Sequence, residues 1–150
     1  MDLVSNRVML KSLSLEGLMQ ISKQNKFIYE GIDLTSLVLT DIQRRAINIK
    51  IGKMKKAKRE LHDWYTYWLI INKDSLDTMG LIGFKGIDNK GEAEIGYGIS
   101  KQYEGQGYMT EAVKILIEWA FKSRLCKTLT ATGVLKTNYG SQNVLLKKWI

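Results

Sequence analysis

Apolar positions recur along this chain at two spacings, and the switches between them mark out its elements. Residues 7–13 alternate weakly and predict a strand, whereas residues 14–23 take helical spacing behind a Ser14 cap with Glu16 in the first turn. From Thr40, a candidate cap, Ile42, Ala46, Ile47, Ile51 and Met54 recur on one helical side, with Asp41, Arg44, Arg45, Asn48, Lys55, Lys56 and Arg59 on the other. The basic cluster from Lys50 to Arg59 reads as a solvated face of that helix. Residues 64–72 are rich in aromatic and β-branched side chains, and residues 79–87 follow a polar turn at Asn72, Lys73 and Asp74, so the two predict paired strands. Asp88, Asn89, Lys90 and Gly91 signal another turn, after which residues 92–99 complete an antiparallel meander. Residues 110–124 return to helical spacing: Val113, Leu116, Ile117, Ala120 and Phe121 make one stripe, with Lys114, Glu118 and Lys122 outside it. Residues 128–134 then predict a strand, and a last helix is expected from Asn138, where Leu145 and Trp149 stand four residues apart. The order is that of a mixed α+β fold.

Composition bounds this picture without choosing a function. An apolar fraction of 45% over 150 residues is enough for one shared core, and no repeat or linker divides the chain, so a single domain over residues 1–150 is expected. The longest apolar run, residues 64–71, is interrupted by Thr66 and falls far short of the roughly 20 residues that cross a bilayer. Asp2 and Asn6 near the start do not suit a secretion signal, and the cytoplasm is the expected compartment. Cys126 is the sole cysteine and His62 the sole histidine, which excludes an internal disulfide and leaves no zinc cluster to expect. His62 reads as a surface or core-edge residue and Cys126 as a small buried hydrophobe. A net charge of +8 would attract phosphates, nucleic acid or an acidic protein surface. A nucleic-acid partner is not favoured, because no recognition motif interleaves aromatics with the charge.

The stretch richest in chemistry is Gly105-Gln106-Gly107-Tyr108-Met109-Thr110-Glu111-Ala112, the turn between the third meander strand and the clearest helix. Glycines let the backbone turn tightly and approach a ligand, while the first free N–H groups of the helix point into the same space. Such a place suits a pyrophosphate. A Gly-x-Gly ahead of a helix also serves as an ordinary connection. A Walker phosphate loop is absent, and a dinucleotide fingerprint fits poorly because Thr110 stands where its third glycine belongs.

Three blocks together carry a family resemblance: Glu94-Ile95-Gly96-Tyr97-Gly98-Ile99; then Gln102 with the Gly105–Ala112 stretch; then Asn138, Ser141, Val144, Leu145 and Lys147. In this order the chain resembles the GNAT superfamily of acetyl-CoA-dependent N-acetyltransferases, most of all the RimJ/RimL-like branch that acetylates ribosomal-protein N-termini. The resemblance implies a GNAT-like fold and transfer of acetyl from acetyl-CoA to a primary amine, on a protein N-terminus or a small molecule. It further implies that backbone amides of Gln102, Gly105, Gln106, Gly107, Tyr108, Met109 and Thr110 hold the coenzyme pyrophosphate. Tyr97, Gly98 and Ile99 would pair with the pantetheine arm, and Asn138 would hydrogen-bond it.

Acetyl transfer needs a neutral amine, a stabilised oxyanion and a protonated leaving thiolate. Glu94, with Glu92 second, is the candidate base; both equally suit solvated carboxylates flanking a turn. Gly96 and Gly98 permit a bulge that frees an N–H near residues 97–99 for the oxyanion, or they admit a neighbouring aromatic. For the thiolate, Ser141 matches the serine acid of the similar branch and Tyr139 the hydroxyl more usual in the superfamily; Ser141 also suits a polar group in a helix's first turn.

Two departures from the family pattern stand out. Glu104 sets a negative charge beside the proposed pyrophosphate site. The chain also ends at Lys147-Lys148-Trp149-Ile150, where family members continue through two more strands. On this reading the domain is C-terminally short and lacks the usual β-hairpin, so the strand over 128–134 is left with an open apolar edge. A homo-oligomer is then expected to cover it. A catalytically silent acyl-CoA-binding or sensor module of the same fold is the alternative.

Overall fold

The computed structural model describes residues 1–23, 28–35, 37–131 and 144–147. Strands β1 (Asp2–Val4) and β2 (Val8–Ser12) form a hairpin, of which only β2 is legible in the alternation. Helix α1 (Leu15–Lys23) opens as expected, with Ser14 Oγ accepting the Gly17 N–H at 3.0 Å. The short strands β3 (Ile28–Tyr29) and β4 (Ile32–Asp33) pair with each other. Helix α2 (Asp41–Lys56) begins with a capping box, in which the Thr40 hydroxyl accepts the Gln43 N–H and the Gln43 side chain accepts the Thr40 N–H. A 3-10 helix (Arg59–Trp64) leads into the meander β5 (Tyr67–Asn72), β6 (Thr78–Ile87) and β7 (Glu92–Ile99). Helix α3 (Tyr108–Lys122) then crosses over to β8 (Thr128–Ala131), and β9 (Val144–Lys147) follows.

The main sheet has seven strands in the order β1-β2-β5-β6-β7-β8-β9, antiparallel at every pairing except β7 with β8. Parallel neighbours need a crossover, and α3 supplies it. The strand richest in apolar residues is central because both of its faces are covered: Trp68 and Ile70 join the α3-side core, and Tyr67, Leu69 and Ile71 join the α1 and α2 side. On the α3 side Trp119 packs against Trp64 and Trp68, with ring centroids 4.7 and 5.2 Å away, and Trp64 packs against Phe84 at 4.9 Å.

Three expectations are corrected. The helix expected through Leu145 is a strand at Val144–Lys147, which completes the backbone hydrogen bonding of β8; Asn138 and Trp149 lie outside the described residues. The edge of β8 expected to stand open is therefore paired, Thr128 opposite Lys147 and Ala131 opposite Val144, which removes the ground for self-association. Finally, Lys50 does not belong to a solvated face: it is 6% exposed, while Ile42, assigned to the buried stripe, is 77% exposed. Helix α2 crosses the sheet so that its later turns bury Ile47, Lys50 and Met54 and its first turn overhangs a cavity.

Candidate active site

The cavity lies between α2 and β7, has a volume of about 1150 Å³, and exists because the strand facing the helix is bare backbone. Ala93 and Ile95 point into the α3-side core, which leaves Glu94, Gly96 and Gly98 on the α2 side. At Gly98 the approach is close: a Cβ there would come within 3.0 Å of Gln43 Nε2. Tyr97, Ile99 and Gln102 also border the space, but the Tyr97 and Ile99 side chains pack against the α3-side core, and burial there raises the Tyr97 phenol above its ordinary pKa. The described pairing of β7 with β8 runs from Glu92↔Thr128 to Ile95↔Ala131. From Gly96 to Ile99 the described partner of β7 is β6 alone.

Past Ile99 the chain makes a 3-10 turn (Lys101–Tyr103) and reaches Gly105 and Gly107, both at positive φ, +74° and +83°. Gly107 caps α3 in the left-handed conformation, and the first helical hydrogen bond runs from the Glu111 N–H to the Gly107 carbonyl at 3.1 Å. The N–H groups of the first turn, at Tyr108, Met109 and Thr110, precede that bond and face out of the helix end. Two carbonyls of the turn are occupied from within the protein: that of Gln102 accepts Gln106 Nε2, and that of Gln106 accepts Arg7 Nη1, each at 3.0 Å.

Arg7 braces this turn from the first hairpin, a role that sequence reasoning missed because its partners lie about a hundred positions away. Its main-chain N–H and Nε bond the two oxygens of Glu111 at 2.8 and 2.9 Å, and its guanidinium stands 4.4 Å from the centroid of the Tyr108 ring. Burial pushes the Glu111 carboxyl up. The hydrogen bonds from Arg7 and Ser5, together with the Arg7 charge, outweigh it and hold the group below its ordinary range. Glu104 is exposed and lines the cavity beside Gln102.

The candidate base Glu94 is ion-paired with Lys85 at 2.6 Å, and with Glu92 it lines a smaller adjoining cavity of about 620 Å³. Lys50 is the other residue missed. The register of β6 on β7 shifts between Phe84 and Ile87, and at this irregularity the carbonyls of Phe84 and Lys85 receive the ammonium groups of Lys50 and Lys53 at 2.7 and 3.1 Å. Lys50 Nζ also donates to the Tyr65 carbonyl at 3.2 Å and sits 4.4 Å from the Tyr67 ring centroid. Burial first, then the charges of Lys53 and Lys85, lower its pKa to about 7. The other catalytic candidates, Tyr139 and Ser141, lie outside the described residues, as does Asn138. His62 is half-buried with Nε2 2.7 Å from the Met54 carbonyl, and Cys126 is buried. Among the described residues no cluster of His, Cys, Asp and Glu could hold a metal ion, and no helix is long and apolar enough to cross a membrane.

Comparison with known proteins bears on the fold and the family. A family model described as an acetyltransferase (GNAT) domain matches residues 18–148. An uncharacterized N-acetyltransferase of Bacillus subtilis (strain 168), YjdG, is 37% identical over 81 residues, covering 53% of this chain and 48% of that protein. An uncharacterized N-acetyltransferase of Bacillus licheniformis, p20, is 42% identical over 55 residues, covering 36% and 31%. The chain thus spans about half, or less, of the length of these curated relatives. Among solved structures, the RimL ribosomal L7/L12 alpha-N-protein acetyltransferase in complex with coenzyme A superposes with a TM-score of 0.57 at 14% identity, covering 90% of this chain and 75% of that one. A ribosomal-protein-S5-alanine acetyltransferase from Vibrio fischeri gives 0.57 at 13% identity, covering 92% and 76%. These two likenesses show a shared fold, and the family model decides the rest: the chain belongs to the GNAT acetyltransferases.

Proposed function

We propose that this chain transfers an acetyl group from acetyl-CoA to a primary amine, on a protein N-terminus or a small molecule, by direct attack on the thioester. The same proposal sets the reaction in the cytoplasm. The observation that carries it is the turn ahead of α3, where two left-handed glycines and the free first-turn N–H groups of Tyr108, Met109 and Thr110 meet. The residues fit the coenzyme: main-chain donors over Gln102, Gly105, Gln106, Gly107, Tyr108, Met109 and Thr110 would bind its pyrophosphate without a side-chain cation. Main-chain groups of Tyr97, Gly98 and Ile99 would pair with the pantetheine arm, with Asn138 as a further donor.

The coenzyme supplies the activated thioester. The protein's part is to lower the amine's proton count and place it. In the proposed roles Glu94, whose carboxylate is turned to Lys85 and the smaller cavity, takes one proton from the amine through water while the new C–N bond forms and the C–S bond breaks. Ser141 or Tyr139 returns a proton to the leaving sulfur. The Lys85–Glu94 pair favours a second reading, a coenzyme-binding module without turnover, because the carboxylate proposed as base is already engaged by an ammonium.

One experiment separates the two. Acetyl-CoA is added with a panel of primary amines, and thiol release and thermal stabilisation are followed together. The transferase reading expects both signals. Stabilisation without turnover on any amine leaves the silent module, and neither signal rejects both.

A further inference from the structure

At the end of the cavity away from the glycine turn, three lysines converge. Lys50, Lys53 and Lys85 all line it. Against these three ammonium groups, the ion pairs among the described residues include one carboxylate, Glu94 on Lys85. An ammonium has three donors. Lys53 spends one on the Lys85 carbonyl, and Lys50 spends two on the carbonyls of Tyr65 and Phe84. Positive charge and unused donors of Lys53 and Lys85 therefore face the same space, while Lys50 is buried with its Nζ over the Tyr67 ring.

Their distance from the proposed reaction locus follows from strand register. Phe84, which holds Lys50, stands opposite Ile95, whereas Leu81 stands opposite Gly98. Three residues along a strand span about 10 Å. Two Cα steps of about 3.8 Å plus an acidic side chain reach roughly as far. Between Gln43, which meets Gly98, and Lys50, helix α2 lends Arg45, Ala46 and Ile49 to the wall, with Ile49 60% exposed.

We propose that the acceptor is a peptide N-terminus carrying an acidic side chain at its second or third residue. Its carboxylate is received by Lys53 and Lys85 above Lys50, and its amine is delivered to residues 97–99. Polycationic acceptors are disfavoured by the same lysines. The inference rests on the transferase reading and names its substrate class.

The test uses three hexapeptides, Ser-Ala-Glu-Ala-Gly-Gly and its versions with Ala or Lys at the third residue, with kcat/KM read from thiol release. The Glu peptide is expected to exceed the Lys peptide by about tenfold or more, with Ala between. Raising the salt should narrow the gap. Lys53 is exposed, so Lys53→Glu should keep the fold, as a thermal melt would confirm, and invert the order. Equal turnover of the three peptides, a gap insensitive to salt, or an unchanged order in Lys53→Glu overturns the proposal while leaving the transferase reading intact. No turnover on any amine, with the wider panel included, removes the transferase reading and this proposal with it.

Discussion

An ammonium taken out of water and set beside two others gives up its proton more readily, and Lys50 is in that position. Its folded pKa of about 7 lies below the ordinary 10.5, so between these values the unfolded chain binds more protons than the folded one. Stability therefore rises with pH across that window, and the full cost of the buried charge is felt below it. Lys50→Met removes the titration. Relative to this variant, the parent should gain up to about 1.4 kcal/mol per pH unit from pH 7 toward 10, measured by urea unfolding at several pH values. A difference that stays flat with pH would contradict the burial. Sequence patterning missed this residue because lysines are ordinarily exposed, and the carbonyl that receives it stands 34 positions away beside a shift in strand register that no local period encodes. The strand that carries Glu94, Gly96 and Gly98 was legible as residues 92–99. The Lys85 partner of Glu94 was not, because it belongs to the neighbouring strand.

At the scale of elements, the junction of β7 with α3 carries the most chemistry. Gly107 stands at φ +83°, and a Cβ there would lie 3.1 Å from Arg7 Nη2. Gly107→Ala should cost about 1–2 kcal/mol through the left-handed backbone alone, and more if Arg7 is displaced. Chemical denaturation reads the first effect, and a smaller thermal stabilisation by acetyl-CoA reads the distortion of the turn. The elements read correctly from the chain are those with long, unmixed periods: α2 with its Thr40 cap, the three-strand meander, and α3. The error at Val144–Lys147 came from a short apolar run, whose four-residue spacing to Trp149 suits a helix while its three consecutive apolar residues suit a strand beside β8 equally well. The hairpin strand β1 was too short to show any period.

For the whole molecule, one sheet separates two cores, and β5 belongs to both. Trp68, Leu69, Ile70 and Ile71 are each 0% exposed. Their amide protons should be among the last to exchange with solvent, near the rate of global unfolding, while those of the exposed turn at 104–107 exchange far sooner. Native-state hydrogen exchange resolves the order, and early exchange at Leu69 or Ile70 would mean that the two cores open separately. This layered arrangement was only partly foreseeable: alternation says that a strand has an inside, but not that helices from both halves of the chain cover its two sides. The bond from Arg7 to the Gln106 carbonyl spans 99 positions of sequence. Whatever the bend before α3 grips is thus steadied by the opening segment of the polypeptide, and by reciprocity a tightly held guest would lend firmness to that distant segment in return.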